Sequence, residues 1–286
     1  MEMKATATMF VTGADQPGLV ARIGDFIFKH NGNIVHSDHH IDSESGLYFT
    51  RVEWELKGFR LSHEETGNKF ARIARTMGLS WELHFSDNRE RVAIFVSKYD
   101  HCLNDLLLRH ASGELRGDIA FVISNHPDLC ALAEQYRIPY HVFPITPATK
   151  KEQEAKQLTL LEEHRIGLII LARYMQVLTP DFVARYPHRI INIHDSFLPA
   201  FVGAGPYKQA HERGVKLIGA TSHYVTNVLD DGPIIEQDVV RVSHRDTVRD
   251  MIRKGRDLER VVLARAVRLH LAHRVLAYGC KTVVFD

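Results

Sequence analysis

Residues 189–201 read RIINIHDSFLPAF, and residues 219–237 read GATSHYVTNVLDDGPIIEQ. The first segment opens with β-branched, apolar residues typical of a strand, and this run stops at SFLP. Side chains two positions apart on a strand point to the same side, so Asn192 and His194 are expected together near its carboxyl end. Open α/β sheets bind their ligands at that end.

The second segment supplies a further strand, predicted from Leu217 to Val225, and then a turn. The turn-prone residues Asp230, Asp231 and Gly232 place carboxylates on a loop. An amide, an imidazole and a carboxylate can then converge on one point. These groups suffice for acyl chemistry on a carbonyl without a covalent nucleophile.

The pattern N-x-H-x-S-x-L-P, followed by H-x-V-x(4)-D-x-G-P, resembles the formyltransferase family that uses 10-formyltetrahydrofolate. The likeness covers about residues 91–286, and the residues before them resemble an ACT domain. This pairing resembles the formyltetrahydrofolate deformylase family. The resemblance implies hydrolysis of 10-formyltetrahydrofolate to tetrahydrofolate and formate, a source of formate for purine synthesis and a control on one-carbon pools. It also implies no metal and no separate cofactor, because the folate derivative is the substrate.

The resemblance assigns the catalytic roles to Asn192, His194 and Asp230, since the spacing from His223 selects Asp230 over Asp231. Asn192 and His194 would stabilise the oxyanion, and Asp230 would orient or deprotonate the attacking water. Taken alone, each of the three could be an ordinary structural residue, and the joint pattern favours catalysis. The substrate-binding residues implied by the resemblance are Met175, Leu178, Ser196, His223, Val225 and Gly232.

Two other functions stay open at this point: transfer of the formyl group to an amine acceptor, and a non-catalytic sensor of folate or amino acids. The turn from Ser97 to Cys102 contains no glycine, whereas glycinamide ribonucleotide transferases carry a glycine-rich phosphate loop there, so water is favoured as the acceptor. Asp195 and Gly205 depart from the deformylase pattern. A carboxylate at Asp195 is expected either to raise the pKa of His194 or to compete for its hydrogen bond.

Length and composition bound the class of protein. A chain of 286 residues predicts two domains, here residues 1–87 and 91–286. Its 36 Lys and Arg against 35 Asp and Glu give a net charge of +1, so nucleic acid is not an expected partner. No apolar run approaches about 18 residues, which predicts no membrane contact. Three separated cysteines, Cys102, Cys130 and Cys280, suit a reducing cytoplasm better than a disulfide framework.

The first domain has strand and helix signals in the order βαββαβ, which predicts a ferredoxin-like unit. Its turn Asp15-Gln16-Pro17-Gly18 resembles the ligand loop of ACT domains, and free N–H groups at a helix N-terminus favour a carboxylate. The resemblance implies an amino-acid effector, methionine or glycine, bound by Asp15, Gln16 and Gly18. The alternative is a domain that only mediates formation of a homo-oligomer.

One strand of this domain carries possible metal ligands. His36, Asp38 and His40 would share one face of the strand, so three ligands are geometrically conceivable. The exposed polar face of an antiparallel sheet has the same pattern, and no further ligand cluster is evident near the domain's other elements. We therefore predict no metal site.

In the second domain, strand and helix signals alternate from Arg91 onward. Residues 166–172 are almost continuously apolar, which is typical of a strand buried on both faces. These features predict an α/β fold with a Rossmann-like, doubly wound parallel sheet that ends in an antiparallel portion. A long terminal helical region, residues 246–276, is expected to break around Gly255.

Overall fold

The computed structural model describes residues 4–201 and 205–285 of the chain. Contacts divide the chain into two compact units. These are Met1–Arg89 with Val283–Asp286, and Glu90–Thr282. The first division, between Arg89 and Glu90, falls in the gap between the two predicted domains. No helix in the described ranges is long and apolar enough to cross a lipid bilayer.

The predicted extent of the second domain, to residue 286, differs from the structure at its end. The last residues group with the first unit. Phe285 is almost fully buried, and its ring stacks on that of Phe10 with centroids 5.8 Å apart. The contact joins residues that are far apart in the sequence, so no local pattern reveals it. The prediction used only local strand and helix patterns and therefore placed these last residues in the second domain.

The first unit follows the order βαββαβ. Its elements are β1 (Thr6–Ala14), α1 (Leu19–Lys29), β2 (Asn33–Asp42), β3 (Leu47–Glu55), α2 (His63–Met77) and β4 (Ser80–Phe85). These strands form an antiparallel sheet in the order β2-β3-β1-β4. This is a ferredoxin-like arrangement.

The helices of this unit follow from their apolar spacing and caps. The residues of α1 that recur at helical spacing and are buried are Leu19, Ile23, Phe26 and Ile27. Ahead of α2, the Ser62 side chain accepts from the Glu65 N–H, and the Glu65 side chain accepts from the Ser62 N–H. This reciprocal capping satisfies N–H groups that a helix start otherwise leaves unpaired. Both helices belong to one apolar core with the sheet.

The second unit is built on a mixed sheet of seven of the described strands, in the order β11-β10-β9-β8-β5-β6-β7. Its elements are β5 (Arg91–Val96), α3 (His101–Ala111), β6 (Asp118–Ser124), α4 (Cys130–Gln135), β7 (Tyr140–Val142), α5 (Lys150–Glu163), β8 (Leu168–Leu171), α6 (Pro180–Arg185), β9 (Ile190–His194), α7 (Pro206–Arg213), β10 (Leu217–Tyr224), β11 (Ile234–Arg241) and α8 (Val248–Leu271). The chain then forms a hairpin of two strands, β12 (Val275–Tyr278) and β13 (Lys281–Val284). Local patterns did not single out α6, α7 and this hairpin.

The strand directions place the candidate site. Strands β5 to β9 pair in parallel, whereas β10 runs antiparallel to both β9 and β11, as the sequence predicts. In the β9–β10 register, His223 lies opposite Asn192, and Thr221 lies opposite His194. The antiparallel end of the sheet therefore brings the two segments of the motif side by side on neighbouring strands.

The predicted break at Gly255 is wrong, because α8 continues without interruption through this residue. A Cβ atom on Gly255 would lie 1.9 Å from Tyr207 Oη. The glycine therefore serves the close approach of Tyr207 to the helix rather than a change of chain direction. The helix ends at Leu271, earlier than predicted, and the following residues form the strand β12.

Candidate active site

The three candidate catalytic side chains lie on two neighbouring parts of the second unit. Asn192 and His194 are on β9, and Asp230 is on the loop between β10 and β11. His194 Nδ1 lies 3.3 Å from Asp230 Oδ2, and the Asp230 side chain is only 7% exposed. The next residue, Asp231, is exposed to solvent. It is therefore Asp230 that faces the imidazole.

The environment of Asp230 keeps its carboxyl group ionised. The hydrogen bond with His194 lowers the pKa of Asp230 below its ordinary value, although burial acts in the opposite direction. His223 Nε2 also lies near this carboxylate, at 3.8 Å from Asp230 Oδ1. At neutral pH this carboxylate can therefore orient a water molecule and accept its proton.

His223 holds the amide of Asn192 in place. Its Nδ1 lies 3.0 Å from the carbonyl oxygen of Tyr224, so Nδ1 carries the proton and donates. Nε2 of the neutral ring then accepts from Asn192 Nδ2 at 3.3 Å. Burial lowers the pKa of His223, which favours that neutral ring. Both nitrogens are used within the protein, so His223 is a positioning residue rather than the substrate contact that the sequence predicts.

Two nitrogens on this face of β9 are left for a ligand. His194 Nε2 is buried and makes no hydrogen bond within the described residues. Asn192 Nδ2 has two hydrogens, and its bond to His223 uses one of them. A buried unpaired polar group costs about 1–3 kcal/mol, so a carbonyl oxygen bound here would satisfy an existing deficit. The pair is arranged as the hydrogen-bonding half of an oxyanion site.

Comparison with known proteins assigns this geometry to a family. Residues 90–267 match the model of the formyl transferase family. A formyltetrahydrofolate deformylase of Synechocystis sp. is 59% identical over 280 residues, covering 98% of this chain and 98% of that relative. The chain belongs to the formyltetrahydrofolate deformylase family.

Solved structures agree with this assignment. The crystal structure of a formyltetrahydrofolate deformylase from Pseudomonas syringae has a TM-score of 0.98 and 47% identity, covering 100% of this chain and 96% of that chain. The glycinamide ribonucleotide transformylase 1 from Symbiobacterium toebii has a TM-score of 0.66 and 31% identity, and covers 72% of this chain and 98% of that chain. The likeness to the deformylase thus spans the whole length, and the likeness to the transformylase spans a smaller part.

Gly232 is required by the turn that delivers Asp230. A Cβ atom at this position would lie 1.7 Å from the carbonyl oxygen of Tyr224, which is the acceptor for His223. We expect Gly232→Ala to displace this loop and to lower kcat/KM for formate release by about 10²-fold, the cost of misplacing catalytic groups by about 1 Å. Steady-state kinetics on the folded variant measures this loss.

The control for this substitution is Gly24→Ala. Gly24 lies within α1, and a Cβ atom built there meets no heavy atom within 4 Å. Its kcat/KM should match that of the wild-type protein. An unchanged rate in Gly232→Ala would show that the loop tolerates displacement and would contradict the tight geometry described for Asp230.

Of the other substrate contacts that the sequence predicts in this deformylase, Met175 is 57% exposed, and Val225 is half-buried against the core. Leu178 is only 8% exposed and packs in the core of the second unit, and its contact with folate stays a prediction. Ser196 is buried, and its hydroxyl donates to the Ala200 carbonyl oxygen at 2.6 Å. That hydroxyl is therefore a structural group in place of the predicted ligand contact.

Three apolar residues beside the site were not singled out by any sequence pattern. Val177, Val228 and Leu229 are each more than half exposed. They lie on the two loops that also carry Met175 and Asp230. Exposed apolar side chains on loops next to a polar centre are typical of a binding surface. We call these three residues together with Met175 the apolar wall. The signal in the sequence that could have identified them is the presence of apolar residues within turn-prone loops, where polar residues are usual.

The two departures from the deformylase pattern have structural explanations. Asp195 does not compete for His194, because its Oδ2 lies 3.0 Å from Arg173 Nη1 in an ion pair. The expected competition is therefore wrong, since the sequence gives no sign that Arg173 lies beside Asp195. Gly205 precedes α7 with a left-handed φ of 71°, a conformation that favours glycine.

The predicted effector loop is partly engaged within the first unit. Gln16 Nε2 donates to the Met77 carbonyl oxygen at 3.0 Å, so this amide is a structural tie. Asp15 is exposed. Gly18 precedes α1 with φ of 90°, and no side chain caps this helix start. Asp15 and the first N–H groups of α1 thus remain the candidate contacts for an effector.

Proposed function

We propose that this chain hydrolyses 10-formyltetrahydrofolate to tetrahydrofolate and formate. The observation that carries the proposal is the arrangement at His194. One ring nitrogen is bound to the ionised Asp230, and the other is buried and unpaired on the strand face shared with Asn192. The similarity to formyltetrahydrofolate deformylases over nearly the whole chain supports this activity.

In this mechanism, Asp230 orients the attacking water and takes one of its protons while the water oxygen bonds to the formyl carbon. The oxyanion that forms accepts hydrogen bonds from Asn192 Nδ2 and from protonated His194 Nε2. The bond between the formyl carbon and N10 then breaks, N10 gains the electron pair and a proton, and formate leaves. Each step uses side chains of the protein, so we propose no metal and no separate cofactor.

The assay for this function incubates purified protein with 10-formyltetrahydrofolate in the absence of any amine. Stoichiometric formation of formate and tetrahydrofolate is the expected result. Formate that appears only on addition of an amine would instead identify a transferase with a slow side reaction. Binding of the folate without turnover would identify a sensor.

The apolar wall is proposed to contact the pterin ring. Burying an exposed methionine contributes about 1.5–3 kcal/mol, and about 1.4 kcal/mol corresponds to a tenfold change in affinity. We therefore expect Met175→Ser to raise KM for 10-formyltetrahydrofolate about tenfold with little change in kcat. Val20, 54% exposed on α1, provides the control substitution Val20→Ser. A fall in kcat at unchanged KM would place Met175 outside the folate contact.

We also propose that the first unit is an ACT-like regulatory domain that binds methionine or glycine. The N–H groups at the start of α1 would hold the carboxylate, and Asp15 would meet the ammonium group. The coupling to folate is expected to be roughly 1–3 kcal/mol, and bound folate should change effector affinity by the same factor.

Calorimetric titration with each amino acid, with and without a folate analogue, tests this regulation. Asp15→Asn should weaken effector binding, whereas Asp25→Asn, an exposed acid on the same helix, should not. Affinities indifferent to folate, or no binding at all, would leave the unit without a sensing role.

A homo-oligomer is proposed on the evidence of β2. This strand lies at the edge of its sheet and pairs with β3. Ile34, Val35 and Ile41 on it are at least 40% exposed, and exposed apolar edge strands in native proteins are normally covered. His36 and His40 lie about 13 Å apart along this edge, by the spacing of residues in a strand, as part of its polar face. Light scattering of Ile34→Lys should show a smaller mass than the wild-type protein.

A cytoplasmic location is proposed from the cysteines. Cys102, Cys130 and Cys280 are free thiols in the structure, and Cys280 is exposed. Exposed free thiols persist in reducing compartments. Labelling of Cys280 by a thiol reagent in intact cells, followed by fractionation, checks this location.

A further inference from the structure

The segment that follows β8, residues 172–179, carries two side chains of the apolar wall. Met175 and Val177 are each more than half exposed, whereas their neighbours Tyr174 and Leu178 are buried in the core of the second unit. An exposed apolar side chain offers a fixed surface to a ligand only if its backbone is held in one conformation. We call residues 172–179 the wall loop.

Ser97, the residue directly after β5, holds the beginning of the wall loop. Its hydroxyl accepts a hydrogen bond from Met175 N–H at 2.9 Å and donates one to Asn125 Oδ1 at 2.7 Å. Ser97 and Asn125 are both buried. Because the single hydroxyl hydrogen is directed at Asn125, the lone pairs of the oxygen are left for Met175 N–H.

The backbone of Arg173 shows why the wall loop needs such a contact. Its φ is 62°, in the left-handed region that residues with a Cβ atom disfavour. Such a conformation persists only where surrounding contacts over-determine it, and it is common at ligand-binding segments. Ser97 contacts both sides of this turn, because its N–H donates to the Arg173 carbonyl oxygen at 3.2 Å and its hydroxyl accepts from the N–H two residues later. Ser97 therefore stabilises a turn that is unfavourable on its own.

The end of the wall loop is held separately, by α5. Glu154 is buried, and its carboxyl oxygens accept hydrogen bonds from Thr179 N–H, at 3.2 Å, and from the Thr179 hydroxyl. Lys150 Nζ donates to the Val177 carbonyl oxygen. Loss of the contact with Ser97 should therefore move the first part of the wall loop and leave its end in place.

We propose that Ser97 is a positioning residue for folate binding: its hydroxyl, oriented by Asn125, holds the backbone of Met175 so that the methionine side chain faces the pterin ring. This inference rests on the proposed function, through the contact of the apolar wall with folate. Ser97 acts through Met175 and not on the substrate, because its hydroxyl is buried and engaged by two groups of the protein.

The test uses Ser97→Ala, which leaves Met175 N–H without its acceptor. A buried N–H that lacks a partner is costly, so the loop is expected to move until this group is paired again. We expect Kd for tetrahydrofolate, the proposed product, to rise about fivefold, which corresponds to the usual net contribution of one hydrogen bond. KM for 10-formyltetrahydrofolate should rise by the same factor, with kcat little changed. Calorimetry and steady-state kinetics measure the two constants.

A double-mutant cycle with Met175→Ser separates positioning from a general loss of structure. If Ser97 acts through Met175, its substitution has little left to change once the methionine side chain is gone. Ser97→Ala/Met175→Ser should therefore bind tetrahydrofolate within about twofold of Met175→Ser alone. Independent effects would instead multiply and weaken binding about fiftyfold relative to the wild-type protein.

Thr66→Ala is the matched control. Thr66 is fully buried on α2, and its hydroxyl donates to the Ser62 carbonyl oxygen at 2.7 Å. The substitution also removes a buried hydroxyl and should lower Tm, but Kd and KM should match those of the wild-type protein. If Ser97→Ala does not fold, Ser97→Cys replaces it in the cycle. Its sulfur is a weak acceptor, so we expect a smaller rise in Kd and the same absence of additivity.

The outcomes are distinct from those for the overall function. A wild-type protein that binds neither folate would refute the folate function and this inference with it. With wild-type binding present, an unchanged Kd in Ser97→Ala would overturn the role of Ser97 alone. Multiplied effects in the cycle, a lower kcat at unchanged KM, or a Met175→Ser variant that binds like the wild-type protein would overturn it as well.

Discussion

Asp230→Asn is expected to lower kcat for formate release by about 10²–10⁴-fold, the range lost with a general base. Asparagine matches aspartate in size and tolerates the left-handed φ of 56° at this position, so the loop should keep its conformation. The substitution removes the negative charge that receives the proton of water and holds His194. Affinity for a non-hydrolysable folate analogue should stay near the wild-type value, since the loss falls on the transition state.

Asp231→Asn is the matched control for this prediction. Asp231 is the next residue on the same loop, and it is exposed. Asp231→Asn removes the same single negative charge as Asp230→Asn. An effect of charge alone, acting at a distance, would therefore lower kcat in both variants. We expect kcat of this variant to remain at the wild-type level. More than about a tenth of the wild-type rate in Asp230→Asn would remove that residue from the role of base.

Asn192→Ala should lower kcat by about 10²–10³-fold, the usual loss when one oxyanion donor is removed. The amide is bound to His223 at 3.3 Å, so its free hydrogen is held in one direction before the substrate arrives. Such preorganisation contributes to the transition state more than to binding of the ground state. Single-turnover kinetics at saturating folate separates the chemical step from binding.

The matched control is Asn227→Ala, which removes an exposed asparagine on the adjoining loop. It should leave the single-turnover rate unchanged. If Asn192→Ala raises KM and leaves kcat intact, the amide would be a uniform binding contact, and the oxyanion would need another donor.

The part of the fold that could be predicted is the part with local periodicity. The strand that ends at His194 is recognisable because its isoleucines are β-branched and its end is marked by SFLP. The spacing of Asn192 and His194 then fixes a shared face. Asp230 could be placed near Asn192 and His194 only through the resemblance. A long segment separates it from them in the chain, and the sequence alone does not give the distance in space between residues so far apart.

The rest depends on contacts between distant residues. Gly255 has the local character of a helix breaker, yet its missing Cβ makes room for Tyr207 on another helix. Leu178 and Met175 have similar apolar side chains, but one is buried and the other exposed because the backbone between them turns. Asp195 looks like a competitor of Asp230 until Arg173 is found beside it.

Hydrolysis by the site around His194 is tested most directly by running the reaction in water enriched in oxygen-18. The mechanism predicts that each formate released carries one labelled oxygen atom, because the attacking nucleophile is water oriented by Asp230. Asp230→Asn should release formate more slowly than the wild-type protein, and that formate should carry the same single labelled oxygen atom. Unlabelled formate, or formyl groups recovered on an amine or on the protein, would contradict hydrolysis and point to transfer.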